Sequence, residues 1–260
     1  MTTTTSRTTL HDFVMLGTTV PEQRRRDGRT FVCSAGYHEG HGLIRIYPLG
    51  MQGAPRRWTR NTVAVERNPE DSRKESWRLA GDRTPESHSA INLRSFTPWA
   101  TVGKSQRADL VPDRFYVESI AQANAERRSL ALLRPSSVDF QWTPPDSSKR
   151  IDVDQLELLS FERPDGRPER LPRLIFTDTD GRHALQVREW GLHELIRRNS
   201  LDYAAQHAEK ALRLSAASTL LIGNINAHRN SWLVISVLNL DAAQPSLFAT
   251  IEESLCPTSH

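Results

Sequence analysis

The sequence predicts a mainly β protein with some α, and three observations carry that expectation. Short apolar runs with period-two alternation recur along the chain, glycine- and proline-bearing turns separate them, and helical spacing is confined to a few stretches. Asp12 to Thr19 reads as a strand. Thr30 to Tyr37 and Leu43 to Tyr47 form a hairpin through the Gly/His turn His38 to Gly42, and Asn61 to Arg67 alternates as a further strand. Asn68 to Arg83 reads as a charged excursion with Trp77 embedded. Residues 84–109, punctuated by Pro85, Pro98 and Gly103, read as a linker or a long loop with a short helix.

In the second half, Tyr116 to Glu126 has helical spacing. Ser129 to Arg134, Val138 to Trp142, Gln155 to Phe161 and Leu174 to Thr177 read as strands. Leu185 to Arg198 carries the apolar stripe Trp190, Leu192, Leu195 and Ile196. Ser200 is placed to cap a second helix running to Leu214. Thr219 to Gly223 and Ser231 to Leu238 close the pattern. The Thr-rich stretch 1–11 reads as a disordered lead-in and 246–260 as a tail.

No apolar run approaches the length of about eighteen residues that a membrane helix needs, so no membrane association is expected. The two cysteines, Cys33 and Cys256, do not suggest a disulfide framework and favour a reducing, cytoplasmic setting. Charge is unevenly spread. Residues 1–107 hold 17 basic and 10 acidic side chains, and the remainder holds 17 and 21. Thirty of the 34 basic residues are Arg, which suits phosphate gripping but is also what a GC-rich genome produces.

Catalytic and metal motifs are weak. Gly103-Lys104-Ser105 has Pro98 where a phosphate loop needs glycine. His38-Glu39-Gly40-His41 lacks zincin spacing and sits in a turn. Asp178 and Asp180 fall in a turn sequence, and an enzymatic reading needs them to meet His183 and His228 in a cleft. The sequence therefore names no catalytic residue, no cofactor and no metal.

Its positive signal is basic and aromatic. Arg24, Arg25, Arg26 and Arg29 lie in one stretch. Arg45 alternates with Ile44 and Ile46 and so faces away from them, and Tyr47, Arg56, Arg57, Trp58 and Arg60 follow. Arginines interleaved with aromatics predict a surface that neutralises phosphates and stacks bases. The bland counterpart is a solvated face over core tryptophans.

Several stretches, in this order, resemble a known family. Val32 to Leu49 (VCSAGYHEGHGLIRIYPL) resembles a C-x-A-G strand that turns through a glycine-rich tip into W/L-I-R-x-Y-P. Asn68 to Trp77 (NPEDSRKESW) and Ser129 to Phe140 (SLALLRPSSVDF) resemble its following segments. His183 to Leu195 and Leu220 to Leu233 resemble its tryptophan helix entry and closing strand pair. The family is that of bacterial proteins carrying a dual OB-fold domain, in mobile-element and defence contexts. The resemblance spans about residues 12–240. It implies two small OB-like barrels, over 12–107 and 108–245, with a helical insertion near 186–214. Relatives often place two cysteines beside the histidine matching His183. Here Thr177 to Arg182 has none, so no zinc is expected.

Together these readings favour a nucleic-acid-binding module, with single-stranded DNA or RNA as partner. The alternative is a protein–protein adaptor in a larger complex, docking through the helix pair from Trp190 to Leu214.

Overall fold

The computed structural model describes residues 7–23, 30–50, 54–81, 95–143, 170–199 and 201–240. The predicted strand Gln155 to Phe161, the cap Ser200 and Cys256 lie outside them, as does the arginine stretch 24–29.

The first sheet contains β1 (Arg7–Thr18), β2 (Glu22–Gln23), β3 (Thr30–His38), β4 (Gly42–Gly50), β5 (Thr59–Arg67), β6 (Ser76–Leu79) and β7 (Phe96–Thr101). Its order is β1-β3-β4-β6-β5, and β5 pairs back onto β1, which closes a five-stranded barrel. Counted along the chain, the barrel strands run 1-2-3-5-4-1. The third and fifth, β4 and β6, are parallel. This is the strand order of an OB barrel. Apolar alternation drives it: Leu10, Phe13, Met15, Val32, Ile44, Ile46, Val63, Val65 and Trp77 point inward and pack together.

Three elements of the first sheet differ most from the sequence reading. β1 begins at Arg7, inside the stretch read as a lead-in, because Arg7 to Leu10 pair with Val63 to Glu66 of β5. The supposed excursion 68–83 contains β6, whose four residues complete the barrel. The supposed linker contains β7, which pairs with the start of β5. In each case long-range pairing creates a strand that the local pattern is too short or too polar to announce.

The second half repeats the plan. β8 (Tyr116–Val117) and α1 (Ile120–Ala125) lead into β9 (Leu130–Leu133) and β10 (Ser137–Thr143). They are followed by β11 (Leu171–Asp178), β12 (Gly181–Gln186), α2 (Trp190–Arg198), α3 (Leu201–Leu212), β13 (Ser218–Asn224) and β14 (Trp232–Asn239). β10 pairs β11, β11 pairs β12, β14 pairs β13 and β13 pairs β9. A parallel bridge between Val187 and Val234 links the end of β12 to β14. With β9 and β10 taken as one bent first strand, the order is again 1-2-3-5-4-1.

The helix pair sits between the third and fourth strands. Its stripe Leu192, Ile196, Ala204, Ala208 and Leu212 packs with Leu174, Phe176 and Ile222 in the second core. The molecule is thus mainly β, two OB-like barrels with a helical insertion in the second half. Among the described residues no helix is long and apolar enough to cross a membrane.

A third apolar cluster joins the barrels. Val14, Leu16, Ala35, Tyr37 and Leu43 of the first pack against Leu130, Leu132, Leu221, Ile235 and Leu238 of the second. Gly36, between Ala35 and Tyr37 on β3, faces the other way, into the first barrel's core beside Phe13. A Cβ there would stand 2.4 Å from both the Val14 carbonyl oxygen and the Phe13 ring. Gly36→Ala is therefore expected to lower the unfolding free energy by about 2 kcal/mol in urea titration, since overpacking a dense core forces backbone shifts.

Candidate nucleic-acid interface

In an OB barrel, ligands meet the face of the second and third strands and the loops between strands one and two and between strands four and five. In the first barrel the four–five loop is 68–75. In the second it is 225–231. Both border the same cleft.

The first loop is built around a buried carboxylate. Asn68 Oδ1 accepts from Glu70 N, and Asp71 Oδ1 accepts from Arg73 N, so the chain turns twice in succession. Asp71 also accepts 2.9 Å bonds from Arg73 Nε and a 2.7 Å bond from Ser76 Oγ. Burial pushes the Asp71 carboxyl up, but the Arg73 fork and the Ser76 hydroxyl outweigh burial and hold it below its ordinary range.

Arg73 reaches onward. Its Nη1 donates to the Asn224 carbonyl at 2.6 Å. Arg45 Nη2 donates to the Ser129 carbonyl at 2.9 Å and to Asn224 O at 3.4 Å. Glu75 accepts from Ser129 N and Ser129 Oγ. Two cations and one carboxylate of the first barrel thereby grip the backbone of the second. Arg229, on the second loop, returns a 2.7 Å bond to Ser72 Oγ.

Above this joint lie two recesses of about 340 and 260 Å³ that share Arg73 and Asn224. Ser72, Lys74, Asn124, Arg127, Arg128 and Arg229 line the larger, while Cys33, Arg45, Tyr47, Ile225, Asn226 and Ala227 line the smaller. Five basic side chains therefore border the larger recess. Asp71 and Glu126 are the carboxylates that pair with them, through Arg73, Arg229 and Arg128. Lys74 and Arg127 are exposed.

The residues expected from sequence do not form one surface. Arg45 does face away from Ile44 and Ile46, but the second barrel covers that face. Arg45 is 2% exposed and serves the joint. Tyr47 is half-buried beside it in the smaller recess. Arg57 donates from Nη1 to Glu189 Oε1, Ser236 Oγ and the Val237 carbonyl, forming a second inter-barrel contact. Burial raises the Glu189 carboxyl despite the adjacent guanidinium. Arg56 is exposed and lines a separate 340 Å³ recess with Arg57 and Glu189. Trp58 is not a stacking platform: it is 7% exposed, in the left-handed backbone region, with the Arg107 guanidinium 4.7 Å from its ring centroid. Arg60 pairs with Asp12 and lies 6.0 Å from the exposed Trp99 ring. Arg24, Arg25, Arg26 and Arg29 fall outside the described residues.

The sequence reading missed Arg73, Lys74, Arg127, Arg128, Asn224 and Arg229. The signals for them were the two polar loops between paired strands and the adjacent Arg127-Arg128.

Asp178, Asp180 and His183, considered for catalysis together with His228, lie side by side around the β11–β12 turn. Asp178 accepts from His183 Nε2 at 2.8 Å and from the Ile120 amide, and Asp180 accepts from the Ala121 amide, so both cap α1. His228 belongs to the 225–231 loop, where its backbone bonds Ile225 and Ser231. Among the described residues no three metal-ligating side chains form a group.

Residues 10–110, which include the first barrel, match the family described as Domain of unknown function (DUF8758). No curated protein sequence matches the chain. Among solved structures, the crystal structure of the tetrameric p202 HIN2 aligns over 89% of each chain with 8% identity and a TM-score of 0.33. At that score the likeness says nothing about function.

Two outcomes follow from the joint. Arg45→Ala strands carbonyls in a buried interface and is expected to cost about 3 kcal/mol in urea titration. Asp71 contributes stability that is complete above its unfolded pKa of about 4 and lost as pH falls through its depressed folded value. The stability gap between the native protein and Asp71→Asn should therefore be large at neutral pH and shrink under acid, measured by denaturant titration at both.

Proposed function

We propose that this chain binds single-stranded nucleic acid in the cleft between its barrels. The observation that carries the reading is the convergence of the two four–five loops, 68–75 and 225–231, around one basic recess. Arg73, Arg128 and Arg229 are held in place by the ion pairs and hydrogen bonds already described. Lys74 and Arg127 add charge that reaches solvent. Phosphates of a strand would lie along this rim, and Tyr47 and the smaller recess offer room for a base.

Recesses of this size suit a nucleotide or two, whereas a duplex would meet only the rim. The basic stretch Arg24, Arg25, Arg26 and Arg29 belongs to the connection between the first two barrel strands, the other loop that OB barrels use for ligands. We propose that these arginines add to binding. Arg45 enters this reading as a floor residue rather than a surface one.

A protein-binding role has one feature in its favour. The helix stripe is spent inside the second barrel, but Trp99 is 58% exposed on β7, which among the described residues pairs with β5 alone. That strand, rather than the helix pair, is where a protein partner would dock.

Fluorescence anisotropy with labelled single and double strands at two salt concentrations tests the main reading. Single strands should bind more tightly than duplex, and affinity should fall steeply with salt through counterion release. Lys74→Ala and Arg127→Ala should each weaken binding about three- to tenfold and each reduce the salt slope by about one. Absence of binding to every strand, or binding that ignores salt, would refute the reading and bring the Trp99 edge forward.

A further inference from the structure

Two residues that line the cleft, Arg45 and Asn224, each hold a buried side-chain atom with no hydrogen-bond partner among the described residues. Arg45, almost wholly buried, spends Nη2 on two carbonyls, while its Nη1 has no partner among the described groups. Asn224 ends β13 and is 6% exposed. Its side-chain nitrogen donates to the Arg128 carbonyl at 3.3 Å and to the Arg229 carbonyl at 3.0 Å. Those acceptors fix the amide orientation, because a flip would set oxygen against two carbonyl oxygens. Asn224 Oδ1 is therefore held where it is, and it too has no partner. Arg45 and Asn224 line the same recess.

Buried polar groups left unmet are costly, so an occupant that satisfies both is favoured over one that satisfies neither. Phosphodiester oxygens accept but do not donate. They answer the guanidinium and leave Asn224 Oδ1 bare. Deoxyribose within a strand has no hydroxyl at all. A ribose 2′-hydroxyl donates and accepts from one atom. It is also attached one linkage away from a phosphate, which the neighbouring Arg73 and Lys74 would hold.

Resting on the nucleic-acid reading above, we propose that the cleft discriminates by sugar. It takes RNA in preference to DNA, with a 2′-hydroxyl donating to Asn224 Oδ1 and accepting from Arg45 Nη1. Asn224 is then a specificity residue, and the basic rim supplies affinity without regard to sugar.

The test uses the unaltered full chain and three short labelled strands of one sequence, with ribose, deoxyribose and 2′-fluororibose. The fluoro sugar keeps a ribose-like pucker but has no donor. Anisotropy at fixed salt should show the ribose strand binding about tenfold more tightly than either of the others. Asn224→Ala should bring the three affinities together and leave their salt dependence in place. Should that variant fail to fold, the strand series on the unaltered protein still decides. Equal affinity for ribose and deoxyribose strands would overturn the inference while leaving the nucleic-acid reading standing, with water or a base edge as the partner of Asn224. A fluoro strand that binds like RNA would also overturn it, because sugar shape would then be what is read. If no strand binds, both readings fall together.

Discussion

The arrangement of the whole molecule depends on a guanidinium that cannot be left alone. Arg45 sits on β4 between two inward-facing isoleucines, and its own face is covered by the second barrel. A buried cation needs acceptors, and among the described residues the second barrel provides those of Arg45. The acceptors come from Ser129 at the entry to β9 and Asn224 at the end of β13. The two barrels are consequently held in one register by a directional contact, while the apolar cluster of Val14, Leu16, Leu132, Leu221 and Ile235 supplies non-directional adhesion around it.

That same contact explains why the basic cleft lies where it does. Asn224 is the last residue before the 225–231 loop, and Arg73 and Glu75 lie in the 68–75 loop just before β6. Fixing Asn224 against Arg45 and Arg73 necessarily brings the two equivalent loops of the two barrels face to face. Arg229 and Ser72 then meet across the gap. Some arginines are consumed by the joint and others are left at its rim. Burial separates the two groups: Arg45 is desolvated and its proton affinity lowered, whereas Lys74 and Arg127 stand in solvent where charge can meet a ligand.

Much of the fold was legible from the chain. Alternation identified β3, β4 and β5 to within about three residues and the latter part of β1, and the helical stripe from Trp190 to Ile196 identified the insertion. The largest misses in the first sheet were β6 and β7. The four residues Ser76 to Leu79 carry no period long enough to read, and Phe96 to Thr101 contains a proline and exposed positions. Both exist because β5 offers an edge to pair with. The candidate site was legible only in part. Arg45 and Tyr47, both read from the sequence as binding residues, line one recess, whereas Trp58, read as a stacking residue, is buried beneath Arg107.

By itself, the sequence determined which residues turn inward and that Arg45 faces away from the first core, because a strand's two faces alternate whatever lies beyond them. It also determined that the loops after β5 and β13 would be polar. Only the tertiary structure decided what covers the far face of β4, and so whether Arg45 meets solvent or a second barrel. It alone brought Asn224, 179 residues away from Arg45 in sequence, within hydrogen-bonding distance. The reason is physical: alternation is a local property of the backbone, whereas the partner of a buried charge is chosen by whichever distant carbonyls the packing of two barrels delivers.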